Sequence, residues 1–510
     1  MGILDKFKNE QSNKKTTRGF YLGSPEAEGE NKKGLQNFQN FFDDYLSILP
    51  QLENERFIFT GRKGSGKSAI AKYIKDTAEK TDGSFCDLIR LNDIEIEKLV
   101  QLDELNQFEN KESVIFEWLI LVRIIKLLIK NDSFKYVPEY DKLKKFIERN
   151  SGIVNIDKFQ IKEVIEKKKL EVAFEVLKHI NTNIGRAFDS KTVKAPFYKL
   201  INPLKEIVLK VIQYDVNKEK EFWLLFDDLD INFKANDKDS INRITELIRI
   251  SKIYNTEFFK DTNTKILIFL RDDIKKIIEL HNGYSAKIFS SYEININWYD
   301  HQSFKSNENQ TQLKKFINKR IELNFQANKI SFDNSNAWNR LIEEDTYSYN
   351  GKSSFKYIID FTFYRPRDLI LFFNPIGKED YLFPMKGSTV KALLKKYFIE
   401  NVSELRNEIS IYFEPIAIQQ LLDSLKSLTH SGSSYNYDLL SRKLSGCCNS
   451  KSVDEIINIL WQYSIIIPKD SDGKLYFNYR ENSHLDTINL KEWNFTLHKN
   501  IYHYFYPENI

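Results

Sequence analysis

Eight consecutive residues, Gly61-Arg62-Lys63-Gly64-Ser65-Gly66-Lys67-Ser68, have the make-up of a phosphate cradle. Gly61, Gly64 and Gly66 let the backbone curl tightly and turn successive N–H groups toward phosphate oxygens. Lys67 supplies a mobile charge for β- and γ-phosphates, and Ser68 offers a hydroxyl to Mg²⁺. The plain alternative is an ordinary glycine turn. Context argues against it. The β-rich run RFIFT (56–60) stops at Gly61, and SAIAKYIKDTAEK (68–80) reads as a helix. The first turn of that helix, Ala69 included, adds partial positive charge.

Carboxylates and cations follow two further apolar runs. EFWLLF (221–226) ends in Asp227-Asp228-Leu229-Asp230. Asp227 is placed to hold Mg²⁺ through its water shell. Asp228 is placed to polarise an attacking water as general base. Asp230 reads as a helix cap or a surface residue. The competing reading is a buried strand with a polar end. KILIFL (265–270) ends in Arg271-Asp272-Asp273. A fixed cation there can sense a γ-phosphate and stabilise transition-state charge, unless a salt bridge to Asp272 or Asp273 is its whole role. In YRPRDLI (364–370), Pro366 can start a helix and touch a base, while Arg367 reaches toward a nucleotide, with Arg365 as the competing candidate. Arg243 and Arg249, on the helix expected after Asp230, read as an exposed helix face more than as a contact to a neighbouring subunit.

The elements that must hold these residues alternate strand and helix, which implies a parallel α/β sheet. Strands are expected at 56–60, 86–91, 221–226, 265–270 and 292–296. Each motif then falls at the carboxyl end of its strand, where open α/β sheets bind ligands. Helices are expected at 35–48 and 241–254. Residues 92–215 read as a helical insertion, with helices from Val114, over 161–180 and over 205–214. An N-terminal segment (1–34) precedes the core (35–300). A helical lid is expected over 301–390. Beyond it, 391–510 reads as a winged-helix domain, with helices near 415–428, 437–444 and 452–464. IIIPKDSDGKLYFNY (465–479) then reads as a hairpin on a DG turn.

Bulk properties exclude several classes. The 510 residues are 41% hydrophobic with net charge +4, enough apolar content for real cores and too little base for a strong nucleic-acid footprint. The three cysteines form no CxxC pair, so a structural zinc site or disulfide framework is not indicated. The longest apolar run, from Val114, carries Glu117, Arg123 and Lys126 and reads as a core helix rather than a membrane span. With no signal-peptide region at MGILDK, the expected location is cytoplasmic.

FIFTGRKGSGKSAI, LLFDDLD, IFLRDDI and YRPRDLI, in that order, resemble the AAA-like P-loop ATPases of the STAND and origin-recognition branch. More closely, they resemble a bacterial P-loop ATPase family of defence and mobile-element neighbourhoods. The resemblance implies ATP and Mg²⁺ as ligands, Arg271 as sensor 1 and Arg367 as sensor 2. It implies an adenine-side element in YLGSPEAE (21–28), through Tyr21 and Leu22, and a lid entry around Trp298 and Arg320. A winged helix that packs on the ATPase would complete it. Asp228 departs from the Glu common at that position, which predicts slow hydrolysis. The insertion has no counterpart in the family. The expected function is a regulatory switch ATPase acting by self-association or with a partner effector or sensor, in antiviral or genome defence. The alternative is a DNA-binding initiator or loader. Against that alternative, SVDEIINILWQYS (452–464) holds two acids and no Lys or Arg. A small-molecule kinase fits the arginines less well than a conformational ATPase does.

Overall fold

In the computed structural model, residues 16–30, 32–90, 100, 103–149, 171–175, 192–215, 219–300, 307–332, 337–431, 433–448, 450–480 and 490–510 are described. They form two units. One, the sheet unit, holds Ile48–Arg62 and Lys67–Ile296; the other, the helical unit, holds the described residues up to Ser47, Lys63–Gly66 and Asn297–Ile510.

The sheet unit is built on β1 (Ile58–Gly61), β2 (Ser84–Arg90), β5 (Glu221–Asp227), β6 (Thr264–Arg271) and β7 (Glu293–Asn295), with β3 (Glu171–Glu175) and β4 (Thr192–Pro196) as a separate antiparallel pair. The order in the main sheet is β2-β5-β6-β1-β7, every pairing parallel. Continuous apolar runs such as Ile266–Leu270 suit strands covered on both faces. Phe59 and Phe269 are partners in register and stack at 4.6 Å, burying rings worth roughly 1.5–3 kcal/mol each. Helices α1 (Lys67–Ala78), α2 (Lys111–Ile129), α3 (Pro138–Arg149), α4 (Ile201–Gln213), α5 (Lys238–Ile253), α6 (Asp272–His281) and α7 (Gly283–Tyr292) surround the sheet. The Asn110 side chain caps α2 at the Ser113 N–H, and α2 buries residues nearly all round against β2, β5, α4 and α5.

In the helical unit one apolar core runs from Phe20 to Ile501. It contains α8 (Gln312–Ala327), α9 (Ala337–Leu341), α10 (Ser354–Ile359), α11 (Pro366–Phe373) and α12 (Gly387–Ile409). Pro366 opens α11, and the Asp368 carboxylate accepts from the Phe363 and Arg365 N–H groups at 3.0 and 3.1 Å. Then come α13 (Pro415–Leu428), β8 (Tyr435–Asn436), α14 (Tyr437–Leu444), α15 (Val453–Gln462), β9 (Ile466–Lys469), β10 (Asn494–Leu497) and α16 (Lys499–Phe505). The three strands form an antiparallel sheet in the order β8-β10-β9.

Local expectations fail in four places. The helix expected over 35–48 is one turn, Phe38–Phe41, capped by Asn37. Phe42 is extended and gives its carbonyl to Lys319 Nζ at 3.3 Å, so a tertiary contact takes the acceptor that a longer helix needs. Within the expected helix at 161–180, Glu171–Glu175 is a strand paired with Thr192–Pro196, and the rest lies outside the described residues. EVAFE is three apolar residues between two acids, a run too short to tell strand from helix by periodicity, and its pairing with Thr192–Pro196 decides it. The insertion is therefore not purely helical. The expected 465–479 hairpin forms its turn, with Lys474 N–H on Asp470 Oδ1 at 2.8 Å, but beyond the Lys469–Leu475 bridge β9 pairs with β10 instead. Pro468 accepts from the Tyr476 N–H and has no N–H to return the bond. Finally, Asp230 is not a helix cap: Asp237 caps α5, accepting from the Asp239 and Ser240 N–H groups.

Candidate functional site

Sheet register gathers the chemistry of the sheet unit. Gly61 is level with Arg271, and Arg90 with Asp227, all at carboxyl ends of parallel strands. Gly61 is the last residue of β1 and needs no special conformation. The turn is made by Gly64 and Gly66, at φ +80° and +99°, a region costly for residues with a Cβ. Lys67 begins α1 and is buried, its Nζ donating to the Gly61 and Arg62 carbonyls at 2.8 and 3.1 Å. Burial pushes this ammonium below the ordinary lysine value, while Asp272, Asp230 and Asp227 push it back up. Ser68 and Ala69, next along α1, are half-buried, as is Arg62 before the turn.

Asp227 is buried at the end of β5. Asp228 takes φ +54°, a left-handed conformation that costs about 1 kcal/mol or more in a non-glycine residue. Its carboxylate faces Arg90 Nε at 3.4 Å. Arg271 is buried and committed to two carboxylates. Nε and Nη2 donate to Asp273, Nε at 3.0 Å, and Nη1 donates to Asp230 at 2.9 Å. The neighbouring Asp272 is held above the usual carboxylate range by burial and then by Asp273. Carboxylates at two strand ends, a hydroxyl on the first helical turn and a buried ammonium are the groups a metal–phosphate complex requires. Among the described residues no group of three or more His, Cys, Asp and Glu could hold a metal ion by itself.

Lys63–Gly66 belongs to the helical unit. Trp298 Nε1 donates to the Ser65 carbonyl at 2.8 Å. Arg365 Nη1 donates to the Lys63 carbonyl at 3.0 Å, and the Arg367 N–H approaches the Gly64 carbonyl at 3.4 Å. A Cβ on Gly64 would lie 3.0 Å from Arg367 Cβ, so close packing as well as conformation favours glycine there. Arg367 sends its guanidinium to Glu404 and to the Pro25 carbonyl. Pro366 is buried at the start of α11. Tyr21 and Leu22 are held through their backbones. The Asn324 amide accepts from the Tyr21 N–H and donates to its carbonyl, both at 2.6 Å, and Arg320 donates to the Leu22 carbonyl while pairing with Glu30. Burial, then the Glu30 charge, push the Tyr21 phenol up to about 12, so it stays neutral. Arg249 is taken by Glu246 and Ser113, and Arg243 is half-buried on α5.

Some of these partners left no trace in the reading of the chain. Arg90 ends an apolar strand just as Asp227 and Arg271 do, and the same rule would have found it. Asn324, Glu404 and Glu408 are ordinary helix residues, and only tertiary packing singles them out.

Residues 311–380 match the FunZ-associated C-terminal helical domain, a stretch that covers α8 to α11. No curated protein matches the chain.

Proposed function

We propose that this chain is an AAA-like P-loop ATPase of the STAND and origin-recognition branch, a regulatory switch that binds and slowly hydrolyses ATP with Mg²⁺. In this reading Gly61–Ala69 wraps the phosphates, with Lys67 on the β- and γ-phosphates. Ser68 and Asp227 hold the metal, and Asp228 orients the attacking water. Arg271 and Arg367 respond to the terminal phosphate, and Tyr21, Leu22 and Pro366 serve the base. The carrying observation is the sheet register, which sets the Gly-Lys-Ser loop, the Asp227–Asp228 pair and Arg271 at the same end of one parallel sheet. The helix-strand-helix-helix-strand-strand order of α13 to β10 supports a winged helix after a helical lid. The short arm of Asp228 and its pairing with Arg90 support slow turnover.

A switch of this kind acts by self-association or through a partner, and defence is the setting that the family resemblance suggests. The words FunZ-associated fit a chain that works beside another component. The test is an ATP titration of the full chain with Mg²⁺. Wild type should bind, and Lys67→Ala should lose tight binding, because the phosphates lose the ammonium inside the loop. Equal affinity in the two proteins would remove the site assignment.

A further inference from the structure

Arg365 is 2% exposed, and each of its three guanidinium nitrogens donates a hydrogen bond. Nε and Nη2 donate to Asp368 at 3.2 and 2.9 Å, and Asp368 in turn accepts from the Asn401 amide at 3.1 Å. Nη1 is shared between the Lys63 carbonyl at 3.0 Å and Glu408 on α12 at 2.6 Å. One residue along the phosphate loop, Gly64 lies under the stem of Arg367, whose guanidinium reaches Glu404 at 3.0 Å. Two arginines therefore tie two successive loop residues to two acids one turn apart on α12. Tyr364, at φ +61°, sets its ring against Tyr299 at 5.1 Å and Tyr479 at 6.4 Å.

A buried ion pair contributes little net stability compared with apolar side chains of equal volume. What a planar guanidinium adds is direction, since its donors leave in fixed lines. Here one of those lines ends on a backbone carbonyl of the loop and its neighbour on α12. Building on the phosphate-loop reading above, we propose that Arg365 is a positioning residue: it sets the Lys63 turn of the loop and, through Glu408, couples the filling of that loop to α12. The bond geometry requires the coupling to run both ways. A loop that shifts to fit phosphate moves the Lys63 carbonyl, and because the two N–H bonds of Nη1 leave in fixed directions, the guanidinium that follows it also shifts against Glu408.

The experiment is hydrogen exchange on the full chain with and without Mg²⁺ and ATP, on wild type and on Glu408→Gln, with Arg365→Lys as a second variant. In wild type, ATP should slow exchange over 61–69 and also over 398–409. Glu408→Gln should raise the ATP dissociation constant about tenfold, the scale of one charge-assisted hydrogen bond. At saturating ATP it should keep protection over 61–69 and lose it over 398–409. Arg365→Lys, which keeps the charge and loses the fork, should show the same pattern. A merely structural Arg365 would leave the ATP-dependent protection of 398–409 undiminished in folded variants, and that result overturns the proposal. If the variants do not fold, wild type decides: protection of both segments supports the coupling, and protection confined to 61–69 overturns it. Absence of ATP binding altogether would remove the phosphate-loop reading on which the coupling rests, and Lys67→Ala beside wild type tells the two failures apart.

Discussion

At the scale of single residues, one group of buried charges lies at the ends of β1, β5 and β6. Lys67, Asp227, Arg271 and Asp273 are all buried; Lys67 donates to the Gly61 and Arg62 carbonyls, and Arg271 pairs with Asp273 and Asp230. At Asp272, burial and then Asp273 oppose ionisation more than Lys276, Arg62 and Lys67 favour it. The sign is definite. An acid whose folded value lies above the ordinary 3.8 holds its proton longer in the folded state. Its contribution to stability is therefore intact below that pH and is lost as pH rises through the folded value. Asp272→Asn should raise the melting temperature by a few degrees at pH 7 and give no gain near pH 4. Thermal melts at the two pH values check this, and a gain that persists at pH 4 would contradict it. Asp228 shows a different economy: its left-handed backbone and its pairing with Arg90 hold a carboxylate just beyond the strand end.

At the scale of elements, α15 decides between a nucleic-acid reader and a protein-packing helix. Its Asp454 and Glu455 sit in the first turn, and Ile456, Ile457, Leu460 and Trp461 are buried in the unit's own core. That core consumes the apolar stripe, so the stripe itself does not call for a further surface. Of the bases in the following turn and strands, Arg480 lies over the Phe477 ring at 4.1 Å instead of standing ready for phosphate. Counterion release needs exposed Lys or Arg. Gel-shift titration of the full chain with duplex DNA should show no submicromolar binding; tight binding that weakens steeply with salt would restore the initiator alternative. Strands β1, β5 and β6 were legible because each is a nearly continuous apolar run closed by a charged or glycine residue, whereas β2 carries Asp87 within it and β7 is only Glu293–Asn295. The strand-end positions of Gly61, Asp227 and Arg271 could be read in the same way, since they are the closing residues of β1, β5 and β6. What was not legible depends on distant partners. The strand Glu171–Glu175 needs Thr192–Pro196, β9 needs β10, and the ends of the Phe38–Phe41 turn depend on Lys319. Asp368, which receives Arg365, stands in the same motif, but the other two acids, Glu408 for Arg365 and Glu404 for Arg367, lie on α12 and carry no local mark.

At the scale of the molecule, no described helix is long and apolar enough to cross a membrane, and the net charge is only +4. The proposed switch depends on strand-end carboxylates with separable roles, Asp227 for the metal and Asp228 for the attacking water. The measurement that tests it most directly is phosphate release by the full chain under Mg²⁺ and ATP, with nucleotide retention measured on the same samples, for wild type, Asp227→Asn and Asp228→Asn. Wild type should turn over slowly. Asp228→Asn should lose turnover by about 10²-fold or more while retaining ATP, and Asp227→Asn should lose the Mg²⁺-dependent part of binding. Wild-type rates in both variants, or no nucleotide retained by any of the three proteins, would contradict the account.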